Sequence, residues 1–127
     1  PKTLEFMTVN HLPNNQDIVS MSTESYKELS APGIGFGLGF GVILDEGDQT
    51  AGRRVSDGSG QLSSNGTFFW GGAAETYFWI DPQEELCVVY MTQLMYNDRL
   101  TFDMRSKLQT LVYSSIVDDA KERRSRK

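Results

Sequence analysis

The sequence predicts an α+β domain: an antiparallel sheet of about four strands, with an N-terminal helix and a long C-terminal amphipathic helix packed on it. Three observations lead there. Glycines at 33, 35, 37, 39 and 41 alternate with Ile34, Phe36, Leu38 and Phe40, and a period of two is the spacing of a strand. Apolar runs over 67–74, 76–80 and 86–94 are separated by short polar links, as in successive strands of an antiparallel sheet. Leu100, Met104, Leu108, Leu111, Val112 and Ile116 then recur mostly at three- and four-residue steps, the signature of a helix with one apolar stripe.

Taken in chain order, residues 1–12 begin with a proline, tolerated in a first helical turn, and place Leu4 and Met7 on one face before Pro13 stops the helix. Residues 14–32 are polar and mixed and read as a loop holding one turn of helix. The glycine run gives a strand with one face of bare backbone, which lets a helix or an aromatic ring pack closely on it. It nowhere matches Gly-x-Gly-x-x-Gly, so a dinucleotide site is disfavoured.

Residues 45–66, rich in Gly, Ser and Asp, suit a long hairpin loop or a mobile flap. Three strands follow, and the link Asp81-Pro82-Gln83-Glu84-Glu85 is of hairpin length, making the last two antiparallel neighbours. Asn97-Asp98 can cap the terminal helix. Asp103, Arg105, Lys107 and Gln109 form its polar face, so the apolar stripe is expected against the sheet.

A length of 127 residues argues for a single domain over 1–127, with 39% hydrophobic and 23% charged residues, ordinary values for a globular chain. No apolar run approaches the ~18 residues of a membrane span. Pro1-Lys2 opens no basic-then-apolar leader, and localisation stays open between cytoplasm and periplasm. The net charge of −5 is uneven: Lys121 to Lys127 hold five of the twelve basic residues and one of the seventeen acidic ones. That stretch reads as a frayed, disordered basic tail. The acidic body argues against nucleic acid as a partner, because phosphate contacts need a basic face.

Cys87 is the lone cysteine and His11 the lone histidine. Neither an internal disulfide nor a Cys-x-x-Cys site can be built, and neither a metal nor another cofactor is expected. Cys87, in the apolar run Leu86 to Tyr90, reads as a small buried hydrophobe, and His11 as a polar residue at a helix end.

The most informative stretch is Trp70-Gly71-Gly72-Ala73, followed by Thr76 to Pro82 and Leu86 to Gln93. It resembles the last active-site strand and its neighbours in the class C β-lactamase-like serine hydrolases, which include β-lactamases, β-lactamase-type carboxylesterases and relatives of the penicillin-binding proteins. Trp70 to Ala73 is similar to that family's third motif, Lys/His/Trp-x-Gly. The ordered set carries more weight than any single motif: helix, glycine-rich strand, Trp70-Gly71-Gly72, Ile80-Asp81-Pro82, Met91-Thr92-Gln93, terminal helix.

The resemblance implies a nucleophile in Ser-x-x-Lys and a second catalytic group in Tyr-x-Asn or Ser-x-Asn, both upstream of the third motif. The residues three places before the lysines are Glu24, Met104, Asp118 and Arg124, and no tyrosine has asparagine two places on. Ser63-Ser64-Asn65 fits Ser-x-Asn but lies only five residues before Trp70; a polar turn with Asn65-Gly66 is the favoured reading. The chain therefore resembles the C-terminal portion of such a hydrolase without its nucleophile.

Acyl transfer passes through an oxyanion that needs fixed donors, and a backbone N–H on a rigid strand is one. By the resemblance, Ala73 supplies one such N–H and the nucleophilic serine the other. Gly71 and Gly72 leave the approach of the acyl group open. Trp70 stands where true β-lactamases carry lysine, and a neutral indole with a single donor favours ester or peptidase-like substrates over β-lactams. An alternative for Trp70 is a core aromatic beside Phe68 and Phe69. Two functions are thus expected: part of a serine hydrolase acting on a small ester or amide, whose partner is the missing N-terminal portion, or a non-catalytic α+β interaction module that self-associates.

Overall fold

Five strands, β1 (Ile34–Phe36), β2 (Gly41–Ile43), β3 (Phe68–Gly71), β4 (Tyr77–Asp81) and β5 (Leu86–Tyr90), form one antiparallel sheet whose spatial order is the chain order. Around it lie α1 (Lys2–Met7), a 3-10 turn (Pro13–Asn15), α2 (Ile18–Met21) and α3 (Thr101–Ser115). The computed structural model describes residues 1–21, 33–44, 63–95 and 101–116. Most of the expected 45–66 loop, the Asn97-Asp98 cap, Leu100 and the basic tail at 121–127 lie outside the described residues.

The α+β architecture is as the sequence predicts, with one strand more. The glycine run is a hairpin rather than one strand: Ile34 pairs with Ile43, Gly35 with Val42 and Phe36 with Gly41. Residues 37–40 turn the chain, closed by the Gly37 N–H donating to the Phe40 carbonyl at 2.8 Å, with Gly39 at φ 102°. Close packing on bare backbone is present. A Cβ at Gly37 would collide with the Met7 carbonyl, and one at Gly35 would lie 2.6 Å from the Asn10 side chain.

Those contacts dock the N-terminal segment, whose helix stops well short of Pro13. The Leu38 N–H donates to Met7 O at 2.9 Å and the His11 N–H to Phe36 O at 2.8 Å. Asn10 Oδ1 accepts from the Phe36 and Leu12 N–H groups, while its Nδ2 donates to Asn15 Oδ1 and Gln16 O. With Met7 O and Asn10 committed to the hairpin, α1 ends at Thr8, and it buries no residue. The His11 ring sits 2.7 Å from the Phe6 carbonyl and edge-on to the Phe6 ring, a helix-end role as expected. Asp17 caps α2 by accepting from the Ser20 N–H and hydroxyl, and its other oxygen accepts from Gly33 N–H at 3.0 Å.

Cross-strand partners share a sheet face. One face carries Ile34, Ile43, Phe69, Tyr77, Trp79, Val88 and Tyr90, and Ile18 of α2 with Leu108, Val112 and Tyr113 of α3 pack on it to form the core. The opposite face carries Val42, Phe68, Trp70, Phe78, Ile80, Cys87 and Val89. Phe40 packs there against Phe68 and Phe78, at 5.3 and 6.1 Å between centroids. Cys87 is exposed on it, not buried as expected, because β5 is the last strand and its outer face has fewer neighbours.

The terminal helix docks on a different stripe from the one its apolar residues mark. Leu108 and Val112 face the core as expected, but Met104 and Leu111 are exposed while Gln109 is only 2% accessible. The inward row is Arg105, Leu108, Gln109, Val112 and Tyr113, itself at three- and four-residue steps. The cause lies beneath the helix, where the sheet presents polar groups. Gln109 Nε2 donates to Tyr77 Oη at 3.3 Å, the Tyr113 hydroxyl donates to Asp81 at 2.9 Å, and Arg105 lies over the Tyr77 ring, 5.0 Å from its centroid.

Candidate active site

Trp70 and Gly71 form the end of β3, beyond the reach of β2. Phe68 and Phe69 pair with strands on both sides, whereas among the described residues Trp70 and Gly71 pair only with Phe78 and Tyr77 of β4. Among the described residues, one flank of the strand therefore has no paired neighbour where the motif begins. Trp70 is 36% accessible against 5% for Phe68 and for Phe69, and its indole meets the Phe36 ring edge-to-face at 5.2 Å. It is a surface aromatic steadied by one ring, not a core residue.

Ala73 lies past the strand end, in a turn. Gly72 O accepts from the Glu75 N–H at 3.0 Å, Gly72 N–H donates to Thr76 O at 2.9 Å, and the Thr92 hydroxyl donates to Ala74 O at 2.7 Å. Among the described residues the Ala73 N–H has no hydrogen-bond partner, and Ala73 is exposed. The arrangement is a backbone donor on a tied turn beside an open strand flank and an exposed indole. Such a donor needs little reorganisation to meet a developing oxyanion.

Gly71 has a further partner. A Cβ on it would lie 2.9 Å from the Arg105 guanidinium, so the cation rests directly on the bare backbone of the strand at this point. Arg105 also pairs with Glu75 at 3.9 Å, both side chains being largely covered. Glu75 itself has φ 61°, a backbone region that costs a non-glycine residue roughly 1 kcal/mol or more.

The beta-lactamase family model matches residues 8–111, a span that includes the whole sheet, the Trp70–Ala73 turn and most of α3. The chain belongs to the beta-lactamase family. A search of curated proteins found no match. Membership supports a serine-hydrolase origin for the sheet and for its Trp70-Gly71-Gly72-Ala73 end.

Ser63-Ser64-Asn65, the other stretch weighed for the site of this beta-lactamase-family chain, is placed in a turn away from the motif. Thr67 N–H donates to Ser64 O, Gly66 has φ 80°, the Ser64 N–H donates to Asp81 at 3.0 Å, and Gln83 Nε2 donates to Asn65 O. Asp81, wholly buried, also accepts from the Gln83 and Glu84 N–H groups and from Tyr113. Burial works to raise its pKa, yet the Ser64 N–H, the Tyr113 hydroxyl and the Glu84 N–H outweigh that and hold the carboxyl below its ordinary value. Burial, reinforced by the nearby Asp81 charge, pushes the Tyr113 phenol well above its ordinary value, so the hydroxyl remains a donor.

Arg105, Asp81 and Tyr113 were not among the residues the sequence marked for the site. Their signals exist but are indirect: Arg105, Gln109 and Tyr113 recur every four residues, and Asp81-Pro82 opens a turn that an aspartate can cap.

Proposed function

We propose that this chain is the C-terminal segment of a β-lactamase-family serine hydrolase and supplies its third active-site motif, cleaving a small ester or amide through an acyl-enzyme. The observation that carries this is the unclaimed Ala73 N–H on the turn that ends β3, in a chain matched by the family model. A serine Oγ from the missing N-terminal portion attacks the substrate carbonyl. The resulting oxyanion accepts from Ala73 N–H, the alcohol or amine departs, and water releases the acyl group. Residues 1–127 act as one domain of the larger protein, with Gly71 and Gly72 bordering the acyl group and Trp70 lining its approach. No cofactor enters this scheme.

The test is covalent labelling. The 127-residue chain contains no Ser-x-x-Lys, so incubation with a fluorophosphonate or a β-lactam probe is expected to leave its intact mass unchanged. A native reading frame running upstream through Ser-x-x-Lys and Tyr-x-Asn is expected to yield a protein that is labelled once. Stoichiometric labelling of a serine in the 127-residue chain itself would refute the reading.

Trp70 offers a second check. Because the indole is partly exposed and packs on the Phe36 ring alone among the described rings, Trp70→Lys is expected to cost about 1–2 kcal/mol and leave the chain folded. In the complete enzyme it should shift kcat/KM towards anionic β-lactams, since an ammonium supplies a carboxylate partner. A steep fall in melting temperature with unchanged substrate preference would remove Trp70 from the site.

A non-catalytic interaction module is favoured by one observation: Cys87 and Val89 on β5 and Met91 just past its end are all exposed. Under either reading, those residues suit association with the missing portion or with a second copy.

A further inference from the structure

Around the Trp70–Ala73 turn, one side chain is in contact with several parts at once. Arg105 reaches from α3 to cover Gly71, lies on the Tyr77 ring and pairs with Glu75. Gly71 is the last strand residue before the turn, Glu75 closes the turn through its N–H to Gly72 O, and Tyr77 begins the next strand. The guanidinium thus bridges the two ends of the segment that presents Ala73, and α3 and this turn come together through it. Thr92 on Ala74 O and the Gly72 N–H on Thr76 O are further ties.

We propose that Arg105 is a positioning residue, which through Glu75 and Gly71 fixes the direction in which the Ala73 N–H points. This rests on the reading of Ala73 as an oxyanion donor. Three features make arginine specific for the task. Its planar face can stack on Tyr77 while its edge meets a carboxylate, a combination the point charge of lysine cannot reproduce. Glu75 keeps a left-handed backbone only while its surroundings hold it there. Gly71, without a side chain, lets the guanidinium lie directly against the strand backbone.

The test separates the turn from the chemistry. In the 127-residue chain, 15N relaxation of Arg105→Lys and Arg105→Met is expected to show amide order parameters at Ala73 and Ala74 falling from the rigid range of about 0.85 towards 0.6. The amides of Phe78 to Ile80 should be unchanged. Arg105→Met keeps the apolar cover over Tyr77, so that a folded variant remains available. In the complete enzyme the same variants are expected to lower kcat about tenfold or more with KM unchanged, a split that general destabilisation does not give.

Unchanged order parameters at Ala73 in a folded Arg105→Met variant would overturn the proposal. So would a loss of order spread evenly over the sheet, which marks Arg105 as ordinary packing. A turn that loosens while kcat stays constant would uphold the positioning of the turn and overturn instead the reading of Ala73 as a donor.

Discussion

Replacing Ala73 by proline is expected to lower kcat of the complete enzyme by about a hundred- to a thousandfold, the usual effect of deleting one oxyanion donor, with KM little changed. The substitution is chosen for its geometry. Gly72 O accepts from Glu75 N–H, which makes Ala73 the second residue of a four-residue turn, the position where the fixed φ of proline is favoured. Its N–H has no hydrogen-bond partner among the described residues, so proline removes a donor that the fold does not use. Steady-state kinetics on a short-chain ester, with the melting temperature as control, decide the matter. A variant with wild-type kcat would exclude Ala73 from transition-state stabilisation.

The largest effect on stability is expected at Asp81. One buried carboxylate accepts from Ser64 N–H, Gln83 N–H, Glu84 N–H and the Tyr113 hydroxyl, so that Asp81→Ala strands four donors at once. Unsatisfied, part-buried partners of a buried charged group put the loss at about 2–4 kcal/mol, a large part of the 5–15 kcal/mol that typically holds a domain together. Asp81→Asn keeps one acceptor oxygen and should lose roughly half as much.

The pH dependence has a definite sign. The Asp81 carboxyl is held below its ordinary value, so its contribution is complete above the unfolded value of about 3.9 and is lost as pH falls through the lower folded one. Asp17 is shifted in the same direction, since its Ser20 and Gly33 hydrogen bonds outweigh the effect of burial. Asp81→Asn should therefore reduce the acid dependence without abolishing it. Urea midpoints at neutral pH and near pH 3 measure both effects; a neutral-pH loss below about 1 kcal/mol would mean that the four donors find water instead.

The sheet was legible in the sequence where side chains alternate, and illegible where they are missing. Phe68 to Gly71 and Leu86 to Tyr90 fall within runs read as strands, Tyr77 to Asp81 runs one residue past its run into the link, and that link is the hairpin turn that its length and composition indicate. In the glycine run, period two continues through a reversal of direction, because glycine has no side chain to mark which residues face where. The positive φ of Gly39 leaves no trace in the pattern.

The terminal helix shows the opposite difficulty. Counting apolar residues points Met104 and Leu111 at the core, but the sheet face beneath carries the Tyr77 hydroxyl and Asp81, and these make Gln109, Tyr113 and Arg105 the better partners. Trp70 to Ala73 could be read as a motif because four consecutive residues carry it. Arg105 could not, since its contacts with Gly71, Glu75 and Tyr77 are made only once α3 has docked.

In this sheet every neighbour in space is a neighbour along the chain, which fixes where it can be widened. A meander of this kind has its first and last strands as its two full-length margins, so among the described strands a whole added strand can join outside β1 or outside β5, apart from the short free flank at Trp70 and Gly71. The β1 margin is partly occupied by the chain itself, through the His11 N–H on Phe36 O and Asn10 on the Phe36 N–H. β5 has no described strand on its far side. It is the seam along which this fold can be continued, whether by covalently joined sequence or by another molecule, while the motif at the end of β3 lies inside the sheet, two strands away, untouched by what is added there.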